Sequence, residues 1–203
     1  HHTSGRDDLL RFADGQDVVA LGPGLGRAPE SLDVAAAVLQ EDTPVVLDAD
    51  GLSVFEHAPD ALPRSAPTVV TPHPGEMRQI LHAVGREDLL EADRLAQARG
   101  LAAHLRCTVV LKGAASVIAD ADGRAAVNTT GTPALATGGS GDVLTGVTAA
   151  WLHHLQAPFA AACTAAFLHG RAAELAPHGM RACTPDDLPP LLGAAMHELS
   201  PHA

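Results

Sequence analysis

The stretch TPVVLDADGL, residues 43–52, sets the fold. Three apolar residues follow Pro44 without a polar break, and then an acid-rich turn begins. A continuous apolar run of that length is the mark of a strand buried on both faces. The same pattern recurs along the chain. VVALG (18–22) runs into GPGLG, TVVT (68–71) into PHPGE, and CTVVLKG (107–113) ends on Lys112 and Gly113.

Helical patterns fill the intervals. Ser31 is expected to cap a helix over LDVAAAVLQ, and a short helical piece is expected near LSVFEHA. Further helices are predicted from Glu76 and over 88–105, 142–156 and 158–176. Thr184-Pro185-Asp186-Asp187 reads as the start of a last helix reaching about Leu199. SVIAD and RAAVN flank the turn ADADGR and predict a hairpin. Strands alternating with helices imply an α/β protein: a mainly parallel central sheet flanked by helices on both faces. No repeat, linker or low-complexity tract divides the 203 residues, so one domain over 1–203 is expected.

Composition narrows the partners. The net charge is −11, and no Lys/Arg cluster offers a footprint for a phosphate backbone, which argues against nucleic acid. No run approaches the ~18 apolar residues of a membrane span. Cys107, Cys163 and Cys183 are far apart and in no paired spacing, which fits free thiols and a cytoplasmic location. With one Trp, four Phe and no Tyr, a nucleotide would be held mainly by backbone and aliphatic contacts.

In open α/β sheets, ligands bind beyond the carboxyl ends of the strands. Those ends read GPGLG, DADG, TPHPGE and KGAAS, and together they outline one site. No Walker A loop is present. The dinucleotide fingerprint fails at GPGLGR, where Arg27 takes the third Gly position, and at GSGDVL, where Leu144 does. His153 and His154 are consecutive on a helix and point in different directions, which argues against a shared metal.

ATGGSGDVLTG (136–146) opens a helical pattern with Gly139, Ser140 and Gly141. The free amides of a first helical turn, with the positive end of the helix dipole, make an anion site. Asp142 stands beside that site, placed to accept a proton from a hydroxyl attacking a phosphoryl group. Taken alone, the stretch is equally an ordinary Gly-rich loop with a first-turn acid.

In family order the chain carries GPGLGR (22–27), VVLDADGL (45–52), VVTPHPGEM (69–77), VVLKGAASVI (109–118), NTTGTPALATGGSGDVLTG (128–146) and FLHGRAAELA (167–176). With these pieces it resembles the ADP/ATP-dependent NAD(P)H-hydrate dehydratases of the ribokinase-like superfamily. The GGSGD motif is shared by many ribokinase-like kinases, whereas TPHPGE with LDAD and LKG is more selective.

The resemblance implies repair of NADH or NADPH hydrated at C6. ADP or ATP phosphorylates the C6 hydroxyl, with Mg2+, and phosphate is then eliminated. It implies Asp142 as catalytic base, with Gly139, Ser140 and Gly141 as anion hole. Lys112, Gly113, Ala114, Ala115, Ser116 and Gly141 would contact the nucleotide, and Gly24, Gly26, His73 and Asp142 the hydrated dinucleotide. Glu76 and Asp50 are acids at strand ends. They have a role near magnesium or in orienting the site, or else serve as a first-turn helix acid and a turn residue.

Family domains usually begin well upstream of GPGLG, and this chain begins HHTSGRDD. It is therefore expected to lack the early part of the domain, leaving sheet surface uncovered. The family is often oligomeric. A ribokinase-like vitamin-precursor kinase and a truncated nucleotide-binding module without turnover stay open as alternatives.

Overall fold

A computed structural model describes residues 2–177 and 183–199. The elements in order are α1 (His2–Asp14), β1 (Val19–Leu21), α2 (Pro29–Val38), β2 (Val45–Leu47), α3 (Val54–His57), β3 (Thr68–Val70), α4 (Pro74–Ala83) and α5 (Arg94–Leu105). Then come β4 (Thr108–Leu111), β5 (Val117–Ala119), β6 (Ala125–Val127), α6 (Ser140–Leu155), α7 (Pro158–Glu174) and α8 (Leu188–Leu199).

The six strands form one sheet in sequential order. β1 to β4 are parallel, in register Val19–Val45, Val45–Thr68 and Val69–Thr108. β5 and β6 return antiparallel as the expected hairpin. The sheet is thus mixed but mainly parallel, and its parallel half places four strand ends along one edge.

Strand pleating sorts the apolar residues onto two faces. Val45, Leu47, Val70, Val109, Leu111 and Val117 pack with residues of α2 to α5, among them Val38, Phe55, Ile80 and Leu101. The alternate residues Val46, Val69, Val110 and Ile118 pack with Leu152 of α6 and with Ala161, Ala162 and Ala166 of α7. All residues of β2 to β5 are buried, which is why these strands carry no polar alternation. Alanines let α7 lie close to the sheet and to α6.

Several boundaries differ from the sequence reading, each for a physical reason. α2 begins at Pro29 behind Ala28, and Ser31 does not cap it: its hydroxyl donates to the Leu25 carbonyl at 2.8 Å. α4 begins at Pro74, two residues before Glu76, because His73 caps it. The segment 88–105 breaks into a 3-10 turn, Glu87–Leu89, and α5, which is capped by Asp93. α6 starts at Ser140 rather than 142. α1 had no counterpart in the sequence reading; its Ala13 and Leu10 reach the core, while Leu9 and Phe12 stay exposed. Among the described residues no strand pairs with the outer edge of β1, and Ala20 on it is exposed.

Candidate active site

The four parallel strand ends bring Asp48, His73, Glu76 and Lys112 to one edge, and the first turn of α6 meets them there. Gly141 marks the junction. A Cβ on it would lie 3.5 Å from Lys112 Nζ and 3.7 Å from Asp48 Oδ2.

Asp48 is the buried anchor of this edge, 1% exposed. A carboxylate immediately after VVL has left water and must be paired. Lys112 Nζ donates to its Oδ1 at 2.5 Å, and Thr145 Oγ1 of α6 donates to its Oδ2 at 2.7 Å. One carboxylate therefore ties the ends of β2 and β4 to α6. Lys112 also lies 3.8 Å from Glu76 Oε2.

His73 and Glu76 form a reciprocal cap. His73 Nδ1 accepts from the amides of Gly75 and Glu76 at 3.0 and 3.1 Å, and Glu76 Oε2 accepts from the His73 amide at 2.6 Å. The capping role fixes the His73 ring with Nδ1 inward, leaving Nε2 on the exposed side, 3.5 Å from Glu76 Oε1.

The loop after β1 is locked against the loop after β2. Asp50 Oδ2 accepts from the Gly26 amide at 3.0 Å. Gly22, at φ +131°, passes so close that a Cβ would fall 1.7 Å from the Asp48 carbonyl oxygen. Only glycine permits that approach. Gly24 is exposed at the tip of the turn. A cleft of about 240 Å³ opens beside these loops, lined by Arg27, Asp50, Glu56, His73, Glu76 and Gln79, among others.

At the start of α6, Gly139 is the N-cap residue with φ +92°. Ser140 is turned inward. Its amide donates to Thr137 O at 3.2 Å and its hydroxyl to Leu135 O at 2.6 Å. The amides left without a partner among the described residues in this turn include those of Gly141 and Asp142. The Asp142 side chain is exposed and makes no hydrogen bond or ion pair to the described residues. Behind the turn lies His169 of α7, whose burial lowers its pKa to about 4 against a smaller opposing effect of a hydrogen bond with the Ser140 backbone.

The structure thus gathers Gly141, Asp142, Lys112, His73, Glu76, Asp50 and Gly26 at one edge, with Gly113 to Ser116 continuing from Lys112. Sequence reasoning missed Asp48 and Thr145. The signal for Asp48 was present: an acid directly after a fully apolar strand.

No group of three or more His, Cys, Asp or Glu side chains stands together as a metal site among the described residues. Magnesium is commonly held by one or two carboxylates together with substrate phosphates. Glu76, which lines the cleft and has a side chain 15% exposed, fits one such carboxylate. Asp50 uses Oδ2 to hold the Gly26 amide, so its first task is to fix the loop.

A mainly parallel sheet with its ligand edge closed by a Gly-rich helix start defines a ribokinase-like α/β protein. A ribokinase-like superfamily protein from Enterococcus faecalis superposes with TM-score 0.75 at 27% identity, covering 93% of this chain and 66% of that one. The chain belongs to the NAD(P)H-hydrate dehydratase family, whose sequence profile matches residues 2–192. It is 40% identical over 186 residues to a bifunctional NAD(P)H-hydrate repair enzyme of Moorella thermoacetica, covering 90% of this chain and 35% of that protein. It is 38% identical over 178 residues to the ADP-dependent (S)-NAD(P)H-hydrate dehydratase of Bacillus subtilis, covering 85% of this chain and 62% of that protein. The crystal structure of the Bacillus subtilis ADP/ATP-dependent NAD(P)H-hydrate dehydratase, co-crystallised with ATP/Mg2+, superposes with TM-score 0.79 at 32% identity. That match covers 94% of this chain and 70% of that one. The chain therefore spans less than two thirds of the length of these curated relatives.

Proposed function

We propose that this chain performs the nucleotide-dependent dehydration of (S)-NADH or (S)-NADPH hydrate, a hydro-lyase reaction that repairs the nicotinamide dinucleotide. The observation that carries this reading is the pairing of bare amides at Gly141 and Asp142 with an unengaged Asp142 carboxylate, beside Lys112.

The terminal phosphoryl group of ADP or ATP would sit at the α6 N-terminus, where free N–H groups and the helix dipole favour negative charge. The C6 hydroxyl of the substrate attacks phosphorus and passes its proton to Asp142. The nucleotide departs one phosphate shorter. Phosphate then leaves C6 with the C6–O bonding pair, C5 gives up the proton that hydration had added there to water, and the C5–C6 double bond returns. Phosphoryl transfer depends on positioning and electrostatics more than on covalent help from the protein. Asp48 supplies positioning by holding Lys112 and α6 together.

His73 Nε2 and the Gly24–Gly26 loop would meet the hydrated dinucleotide in the cleft, while Lys112 to Ser116 would meet the nucleotide. Magnesium, where bound, neutralises charge on the phosphates, and Glu76 is the carboxylate proposed to hold it. The net charge of −11 with no Lys/Arg cluster argues against nucleic acid as a partner. Among the described residues no helix is long and apolar enough to cross a membrane. Free Cys107, Cys163 and Cys183 fit the reducing cytoplasm as the proposed location.

The test is spectroscopic. The 203-residue chain is mixed with hydrated NADH, ADP and magnesium, and recovery of dihydronicotinamide absorbance is followed. Recovery that vanishes in Asp142→Ala supports the reading. Recovery that survives in Asp142→Ala refutes the base assignment. Nucleotide binding without recovery marks a binding module.

A further inference from the structure

Arg94 opens α5 and lies outside every motif discussed above. Its Nη1 donates to the carbonyls of Ala114 and Ala115 at 2.6 and 3.3 Å, and its Nη2 to those of Leu111 and Lys112 at 3.0 and 3.3 Å. Four carbonyls of one strand end and its loop converge on one guanidinium. An ammonium on a lysine stem has neither the planar fork nor the number of donors to do this.

The consequence lies on the other side of the peptide planes. In a planar trans peptide the N–H points opposite to the carbonyl. The amides of Lys112, Gly113, Ala115 and Ser116 are therefore turned away from Arg94. That of Lys112 donates to Pro72 O at 2.8 Å. Those of Gly113, Ala115 and Ser116 have no partner among the described residues. The one remaining loop carbonyl, that of Gly113, accepts from Ser116 Oγ at 3.1 Å and is also withdrawn. Ala115 adopts a left-handed backbone, φ +54°, of the kind that curls successive amides into an anion-binding concavity.

Gly113 completes the device. At φ +148° it presses against the guanidinium, and a Cβ there would lie 2.9 Å from Arg94 Nη2. A side chain at 113 would push the fork off its carbonyls.

We propose that Arg94 is the positioning residue of a nucleoside-diphosphate site. It draws the carbonyls of the 111–115 segment inward, so that three bare amides, backed by its positive charge, face the oxygen atoms of the nucleotide. The proposal rests on the reading of residues 112–116 as nucleotide-binding. It gives that loop a shape before ligand arrives, which lowers the ordering cost of binding.

Removing Arg94 leaves α5 capped, because Asp93 accepts from the Ala96 amide at 2.8 Å, and leaves Ala98, Leu101, Ala102 and Leu105 in the core. Calorimetric titration with ADP, and separately with hydrated NADH, is therefore applied to the full 203-residue chain and to Arg94→Ala, Arg94→Lys and Gly113→Ala. Arg94→Ala and Gly113→Ala should each weaken ADP binding about tenfold, and Arg94→Lys nearly as much, with hydrated NADH changed less than about twofold. Amide exchange over 112–117 should quicken in Arg94→Ala while α5 stays protected. ADP affinity within about twofold of the unsubstituted chain in Arg94→Ala, or an equal loss for both ligands, overturns the proposal. Failure of the unsubstituted chain to bind ADP overturns the nucleotide reading itself, and that result needs no variant to be recognised.

Discussion

Replacing Lys112 by Met should destabilise the protein more than replacing Asp48 by Ala, although both substitutions break the same ion pair. The asymmetry follows from burial. Asp48 is 1% exposed, whereas the Lys112 side chain is 18% exposed and has Glu76 at 3.8 Å as a second partner. Lys112→Met keeps the volume of the side chain but strands a buried carboxylate with one hydroxyl donor, Thr145. Breaking a buried pair in this way costs about 3–5 kcal/mol, and the surviving Thr145 bond places this case near about 3 kcal/mol. Asp48→Ala frees an ammonium that can turn to Glu76 and water. It leaves Thr145 bonded to the Gly141 carbonyl at 3.0 Å, so about 2 kcal/mol is expected. With neither ion left, the double variant should be less damaged than the sum by about 2 kcal/mol. For a chain of this size 1 kcal/mol moves Tm by about 2–4 °C, so Lys112→Met should melt roughly 6–12 °C lower. Urea unfolding followed through the fluorescence of the single Trp, Trp151, measures all three. Strict additivity, or a larger cost for Asp48→Ala, would refute the view that the carboxylate is the buried member the fold must keep paired.

Three further outcomes are expected. Asp142→Asn should leave stability within about 0.5 kcal/mol, since the exposed side chain bonds to no described residue, yet cut turnover about 10²–10⁴-fold; melting curves and the absorbance assay separate the two effects. Gly22→Ala, whose new methyl would collide with the Asp48 carbonyl at a left-handed φ, should cost more than about 3 kcal/mol and depress soluble yield. His169 has a folded pKa of about 4, below its unfolded value, because burial disfavours the charged ring. The unfolded chain therefore takes up the extra proton as pH falls. The stability tied to a neutral His169 is whole above about pH 6.5 and is lost toward pH 4, by about 2–3 kcal/mol, and His169→Leu should flatten that part of the urea-midpoint profile.

The parts of the fold visible in the sequence are those where local pattern and burial agree. β2, β3 and β4 are continuous apolar runs because both faces of each are covered, and the hairpin of β5 and β6 is announced by its turn. Helix starts were less legible where two residues compete for the cap. Ser31 has the right chemistry, but the tight turn after Gly22 brings the Leu25 carbonyl within reach of its hydroxyl, and the helix begins earlier at Pro29. His73 is an uncommon cap, so the start at Pro74 was hidden behind the more familiar signal of Glu76. Within the site, the motif-bearing loops could be read because Gly, Pro and acids cluster there. Thr145 could not, since a single hydroxyl in an apolar helix has several uses and only the 97-residue separation closed by the fold reveals its partner, Asp48.

The groups that would touch ligand at this edge are mostly backbone, and the side chains do their work one layer below. Asp48 joins β2, β4 and α6; Asp50 secures the Gly26 amide; His73 and Glu76 cap α4; Arg94 gathers four carbonyls. Arg94 consumes carbonyl acceptors and leaves the amides of Gly113, Ala115 and Ser116 bare, Asp48 braces α6 behind the free amides of Gly141 and Asp142, and Asp50, His73 and Glu76 take up amides of their own loops and so fix the turns. For chemistry that places charge on phosphoryl oxygens this is an economical division, because preorganised amides need no rearrangement as charge develops. It also predicts where the site tolerates change. Ala114 and Ala115 are exposed and contribute backbone rather than side chain, so Ala114→Ser should alter ADP affinity by less than about threefold, while changes at the buried supports should reach the ligand through loop geometry. A titration in which Ala114→Ser loses affinity as severely as Arg94→Ala would contradict that division between amides above and side chains below.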